Sequence, residues 1–229
     1  MHRILFGAYR DWTIDVRRYV EAHPRVSSLD WVTDNAHLAE MVARNRKEYD
    51  FTLLCGWSGQ PYKSVIDSIP VFSEHPSPVD LQQVDKYSLG TPLQHMISDG
   101  YLTAKHRLVK LGYPEQVHRQ FSHEVDMSLN GGMDDVLDQM RTTSKALFDR
   151  FLNDYPNVTW TQWPAWPTNQ MHVPRVPGDS KLSRDQLANL TVRQLYDFCR
   201  MLENPYPRAY IEDADGMLTF EKVSYKAKR

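Results

Sequence analysis

Along the first third of the chain the apolar residues alternate between short continuous runs and helical spacing. Residues 3–8 (RILFGA) form an apolar run broken by one glycine. Residues 12–22 then place Trp12, Val16, Tyr19 and Val20 three or four apart, the spacing of a helix that buries one stripe. The pair predicts a strand followed by a helix. The pattern repeats: a strand over 29–33 precedes a helix over 35–48, with Asn35 as its cap and Leu38, Met41 and Val42 on one face. A third round runs through 51–55, a helix over 62–69 and a short strand over 70–73. Strands that alternate with helices predict a mostly parallel sheet with helices on its faces, because a parallel connection needs a crossover. Ligands of such sheets sit beyond the carboxyl ends of the strands. The loops at 7–11, 56–61 and 73–78 are therefore the candidate ligand loops.

Further on, a polar stretch leads to a helix over 91–98 and a strand over 107–111. Residues 131–154 read as a long amphipathic helix with Val136, Met140, Leu147 and Phe151 among its apolar positions. Between 155 and 179 the character changes, since Trp160, Trp163 and Trp166 are interleaved with prolines that no continuous helix accepts. Beyond this boundary a helix over 191–202 and strands over 209–211 and 217–223, around a turn at 213–216, complete the reading. The expected division is an α/β domain over 1–154 and, over 155–229, a Pro/Trp-rich strap with a small carboxyl-terminal helix and hairpin.

Charge removes several classes of function. Lys and Arg number 27 against 29 Asp and Glu, a formal net charge of -2. No broad basic field exists to hold a nucleic-acid backbone, so no nucleic-acid partner is expected. No apolar run approaches the roughly 20 residues that cross a bilayer, and the opening MHRILFGAYRDW meets charge too early for a secretory signal. These features predict a cytoplasmic protein without a membrane partner. Cys55 and Cys199 have no CxxC or CxxH context and suit a reducing compartment as buried small hydrophobes. Neither GxGxxG nor GxxxxGK[ST] follows the first strand.

Three segments then carry a resemblance: GWSGQPYKSVI from Gly56, EHPSP from Glu74, and GTPLQHMISDGYLTAKHRLVKL from Gly90. With SLNG at Ser128, DSKL at Asp179, CRML at Cys199 and YPRAYI at Tyr206, the ordered set is similar to the formyltransferase-fold enzymes that use N10-formyltetrahydrofolate. It most resembles the nucleotide-sugar N-formyltransferases. The likeness runs in the same order from Met1 to about Val223. It implies a Rossmann-like three-layer α/β fold, with folate and a small-molecule amine as partners and a homodimer as the assembly. It also implies a catalytic Asn-x-His pair with a distant Asp. Formyl transfer explains such a set, because attack of an amine on the formyl carbon creates an oxyanion that needs a donor and releases a proton that needs a base.

On this resemblance His75 occupies the catalytic His position. Ser73 stands where the family has Asn, and Gln116 falls where it has Asp, with Glu115 and Glu74 as replacement carboxylates. A lost oxyanion donor costs about 3 to 4 kcal/mol, and lost general-base help roughly 10² to 10⁴ in rate. Such changes favour a second possibility, a ligand-binding pseudoenzyme or a transferase with another acyl or one-carbon donor. The cofactor positions implied are Cys55, Gly56, Trp57 and Ser58 on one side. Leu111, Gly112 and Pro114 lie on the other, with Lys110 toward the glutamate tail. The segment between HPSP and KYSLG is longer than the family's, so the acceptor cannot be copied from it. Methionyl-tRNA is a poor acceptor candidate, because the chain lacks the length and the basic carboxyl-terminal barrel expected for gripping tRNA.

The remaining constellations read as ordinary packing or surface. His106, His118 and His123 match no recognised metal-ligand spacing, and no metal is expected. The tryptophan cluster reads as a strap over the sheet. Glu74 reads as a solvated loop charge, Lys110 as a solvated strand-edge residue, and Arg175 and Lys181 as surface charges.

Overall fold

The computed structural model describes residues 1–45, 47–87, 91–112, 120–164 and 171–227. Seven strands form one sheet in the order β2-β1-β3-β4-β5-β6-β7. They are β1 (His2–Gly7), β2 (Val26–Val32), β3 (Phe51–Leu54), β4 (Val71–Ser77), β5 (Thr103–Leu111), β6 (Gln120–Ser128) and β7 (Thr161–Gln162). Pairs β1/β2, β1/β3 and β3/β4 are parallel and β6/β7 is antiparallel. The helices between them are α1 (Ile14–Glu21), α2 (Asn35–Asn45), α3 (Lys63–Ile66), α4 (Pro92–Ser98) and α5 (Met133–Asp154). After the sheet come α6 (Arg184–Asn189), α7 (Val192–Arg200) and a separate antiparallel hairpin of β8 (Tyr210–Glu212) and β9 (Met217–Thr219).

Strand alternation sorts the core into two layers. From β1, Ile4 and Phe6 join Val16 and Val20 of α1 and Leu147, Phe148, Phe151 and Leu152 of α5 on one face. Leu5 joins Leu38 and Val42 of α2 and Val65 of α3 on the other. Helices therefore cover both faces, the expected three-layer α/β fold. Each of these fully buried side chains contributes about 1.5 to 3 kcal/mol of apolar transfer.

The framework divides into two compact units. The first comprises Met1–Pro76, Lys105–Met127 and Gln139–Ala165, the second Ser77–Ala104, Ser128–Asp138 and Trp166–Arg229. In the second, Arg200 donates to the carbonyls of Leu129 (2.6 Å) and Gly131 (2.8 Å) and to Asp197 (2.6 Å). Glu203 accepts from the Met133 amide at 3.0 Å, serving a free N–H at the start of α5.

Several elements differ from the sequence reading. β2 begins three residues earlier and α3 is a single turn. β9 ends at Thr219 rather than at 223. β6 was not expected: FSHEVDMS carries too much charge to read as an inner strand. Its charges are met across the strand, where Arg107 reaches Glu124 at 2.9 Å and Lys105 reaches Asp126 at 2.9 Å. β4 runs to Ser77, so residues 73–77 are strand rather than loop. A glutamate and a proline read as a strand's end, but Glu74 finds its hydrogen-bond partners in the interior and the strand continues.

Candidate functional site

The carboxyl ends of β1 and β3 are bound together at glycines. A Cβ on Gly7 would lie 2.5 Å from Leu54 and 3.0 Å from the Trp57 ring, so only glycine lets the Trp57 indole lie against β1. The Gly7 carbonyl accepts from the Cys55 amide at 2.9 Å. Gly56 turns the chain out of β3 at φ +58°, with Thr13 and Trp12 both 2.9 Å from where a Cβ would stand. Its carbonyl accepts from Arg10 Nε at 3.2 Å and its amide donates to Glu74 Oε1 at 2.7 Å. Trp57 packs edge-on to Tyr9 at 6.0 Å and donates its indole N–H to Asn35 at 3.2 Å. Ser58 is exposed and accepts from the Tyr9 hydroxyl at 2.6 Å. The turn at 55–58 is thus held from both sides, and the Trp57 donor is already engaged.

On β4, alternation puts Ser73 and His75 on the face opposite Phe72 and Glu74. Ser73 pairs in register with Leu54 and donates its hydroxyl to the Glu74 carbonyl at 3.3 Å. Glu74 is not a solvated loop charge: its side chain is 2% exposed and points toward α5. Its partners are the Gly56 amide, the Ser144 hydroxyl and, at 3.5 Å, His106 Nε2. Burial raises the Glu74 carboxyl to about 7 against the opposing hydrogen bonds from Ser144, Gly56 and Cys55. Burial and the nearby charge of His75 lower His106 to about 3. The Cys55 thiol is driven well above its usual range, first by burial and then by Glu74, which removes it as a nucleophile.

On the other flank, Leu111 is half-buried in the Leu5 layer and Gly112 is buried. Lys110 is half-buried 5.9 Å over the Trp160 ring rather than solvated at a strand edge, because β5 is an inner strand. Pro114, Glu115, Gln116, His118 and Trp166 lie outside the described residues. Trp160 stacks on Phe72 at 5.6 Å and Trp163 is buried beside Phe121 at 5.9 Å, so both pack as the strap reading expects. His106 and His123 go separate ways, the first to Thr143 at 2.7 Å and the second to Asp154 at 2.9 Å. Among the described residues no group of three His, Cys, Asp or Glu could hold a metal ion. Lys181 is engaged by Glu212 at 2.8 Å, and Arg175 donates to the Asp179 carbonyl. Among the described residues no helix is long and apolar enough to cross a membrane. The sequence reading missed the polar partners of Glu74. Ser144 and Thr143 on the buried stripe of α5 were the available signal.

Solved structures share this architecture nearly end to end. Methionyl-tRNA formyltransferase from Clostridium thermocellum superposes with a TM-score of 0.79 at 21% identity, over 99% of this chain and 94% of that one. A sugar N-formyltransferase from a Shewanella species gives 0.70 at 12% identity over the whole of both chains. The chain has the formyltransferase fold. HypX from Aquifex aeolicus in complex with tetrahydrofolic acid gives 0.66 at 10% identity, over 92% of this chain and 36% of that one. Residues 177–229 match the family model "Methionyl-tRNA formyltransferase, C-terminal domain". No curated protein matches the chain in sequence. The motif resemblance therefore holds at the level of the fold.

Proposed function

We propose that the chain is a folate-dependent N-formyltransferase, moving a formyl group from N10-formyltetrahydrofolate to an amine of a nucleotide-linked sugar or similar nucleotide-like molecule. The observation that carries this is the pairing of β3 and β4. Gly56 is tied to Glu74, the residue before His75, so a turn suited to a pterin and an imidazole suited to a formyl oxygen lie on adjacent strands. Cys55, Gly56, Trp57 and Ser58 flank the folate on one side, and Lys110, Leu111, Gly112 and Pro114 on the other. The acceptor nitrogen bonds to the formyl carbon, His75 stabilises the oxyanion, and the N10–carbon bond then breaks. The proton leaving the amine goes to a carboxylate, for which Glu115 beside Gln116 is the candidate, and N10 takes a proton as it departs. The 1–154 and 155–229 division, a cytoplasmic setting and a homodimer belong to this reading. The exposed Met217 and Leu218 of the hairpin support the homodimer, which light scattering tests.

One observation favours the alternative of a ligand-binding pseudoenzyme or a transferase with another donor. The Ser73 hydroxyl is spent on the Glu74 carbonyl and is shorter than the family's carboxamide. Calorimetric titration with 5-formyltetrahydrofolate separates the readings. One-to-one binding in the micromolar range, weakened at least tenfold in Trp57→Ala, supports the folate site. No binding at millimolar folate leaves only the scaffold. The Ser73→Asn, Gln116→Asp double variant is expected to raise formylation of an amine acceptor, and no gain counts against a residual formyl site.

A further inference from the structure

The buried carboxyl of Glu74 has two self-consistent hydrogen-bond arrangements. Among the described residues the groups that face it lie in the first compact unit. From the turn that follows β3 come the Gly56 amide, donating to Oε1 at 2.7 Å, and the Cys55 thiol. From β5 comes His106, whose Nε2 lies 3.5 Å from Oε2. From α5 come Ser144, and Thr143 behind the imidazole. On β4 itself the neighbouring titratable group is His75, on the opposite face. In the tautomer that lets the Thr143 hydroxyl keep its bond to the Gln139 carbonyl at 2.8 Å, that hydroxyl accepts from His106 Nδ1–H. The neutral imidazole then turns a bare Nε2 lone pair toward Glu74, and among the described residues His106 Nε2 has no hydrogen-bond partner. Ser144 has one hydrogen to share among Glu74 Oε2, the Met140 carbonyl at 2.7 Å and the weakly accepting Cys55 sulfur.

If Ser144 donates to Oε2, the carboxylate is served and Gly56 holds a charged acceptor. If Ser144 donates to Met140, Oε2 loses its hydroxyl donor and faces the lone pairs of Ser144 and His106, the weakly donating Cys55 thiol aside, and a proton taken from solvent lets it donate to one of them. The Gly56 amide then holds a neutral acceptor, roughly half as strong. We infer that Glu74 is a positioning residue whose carboxyl sets the hold on the turn at 55–57 by exchanging one proton between these two arrangements with Ser144 and His106. The inference rests on the chain's own geometry and goes beyond the proposed formyl transfer.

Solution NMR of the full chain, labelled at the Glu74 carboxyl carbon and at glycine amides, tests it between pH 5.5 and 8.5. The expected result is a Glu74 carbon titrating with a midpoint near 7, accompanied by a Gly56 amide proton that moves upfield with the same midpoint as the pH falls. In Glu74→Gln the Gly56 resonance should stay at its acid-form position at every pH. In Ser144→Ala, which removes a donor to the carboxylate, the carbon midpoint should rise. If Glu74→Gln does not fold, the wild-type carbon and amide titrations decide alone. A carbon midpoint in the ordinary carboxylate range near 4 overturns the inference. So does a Gly56 amide that ignores Glu74, one that titrates unchanged in Glu74→Gln, or a midpoint that Ser144→Ala leaves in place or lowers. Titration of 5-formyltetrahydrofolate at pH 6 and 8 keeps the two readings apart. Coupled Glu74 and Gly56 titrations without folate binding sink the proposed function alone. Folate binding with an indifferent Gly56 sinks this inference alone.

Discussion

Around Arg200 the chain buries a guanidinium between a carboxylate and two carbonyls, with Asp197 also accepting from Arg193 at 2.7 Å. Around Glu74 it buries a carboxyl against a bare imidazole nitrogen, one hydroxyl, one thiol and one amide. The first cluster sets opposite charges together and closes the loop that leads into α5. The second has no buried cation among the described residues, and burial pushes the Glu74 carboxyl up and the His106 imidazole down instead. The contrast teaches that burial alone does not define a role: the paired cluster is scaffolding, and the proton-labile one lies beside the candidate site.

The comparison breaks most easily at Arg200. Arg200→Met should lower stability by about 2 to 4 kcal/mol, because the Leu129 and Gly131 carbonyls and one oxygen of Asp197 lose their buried donor while Arg193 keeps the other oxygen. Denaturant unfolding at neutral pH checks it, and a loss under 1 kcal/mol would mean the cluster is no scaffold.

Glu74→Gln should have the opposite sign, and only at high pH. Its carboxyl is raised from 4.5 to about 7 in the folded chain, so the folded state binds more protons between those values and stability falls as the pH rises through them. The variant should exceed the wild type by about 3 kcal/mol at pH 8 and match it at pH 4.5.

His106 sharpens the same point. Lowered from 6.5 to about 3, it is protonated sooner in the unfolded chain, so its contribution to stability is lost as the pH falls through that window. Between 4.5 and 6.5 the two slopes oppose, leaving the wild type nearly level. Glu74→Gln should unmask a stability that rises with pH over that interval, measured as the urea midpoint at a series of pH values. The smallest effect is a control outside both clusters. Trp160→Leu, which loses the stack on Phe72, should cost about 1 kcal/mol at all pH values.

Much of the scaffold was legible because apolar spacing carries it. The run 51–55, the stripe of Leu38 and Val42, and the long helix ending at Asp154 follow from period and burial alone. β6 was hidden because its charges are answered from β5, a partner distant in sequence. In the candidate segments HPSP and GWSG the linear pattern did not show which residues face inward, because that depends on the strand's extent and on what packs against it.

Sequence by itself determined the alternating strands and helices, the near-neutral charge and the ordered motifs, since these depend on local spacing and composition. Tertiary structure alone decided that Glu74 is interior, that Trp57 has spent its donor on Asn35, and that Ser144 and His106 meet one carboxyl. Those facts depend on which of two strand faces meets α5 and on groups brought together from the turn after β3, from β4, β5 and α5. A carboxylate reads as surface in any linear pattern, and only a folded interior that supplies its donors can make it a core residue.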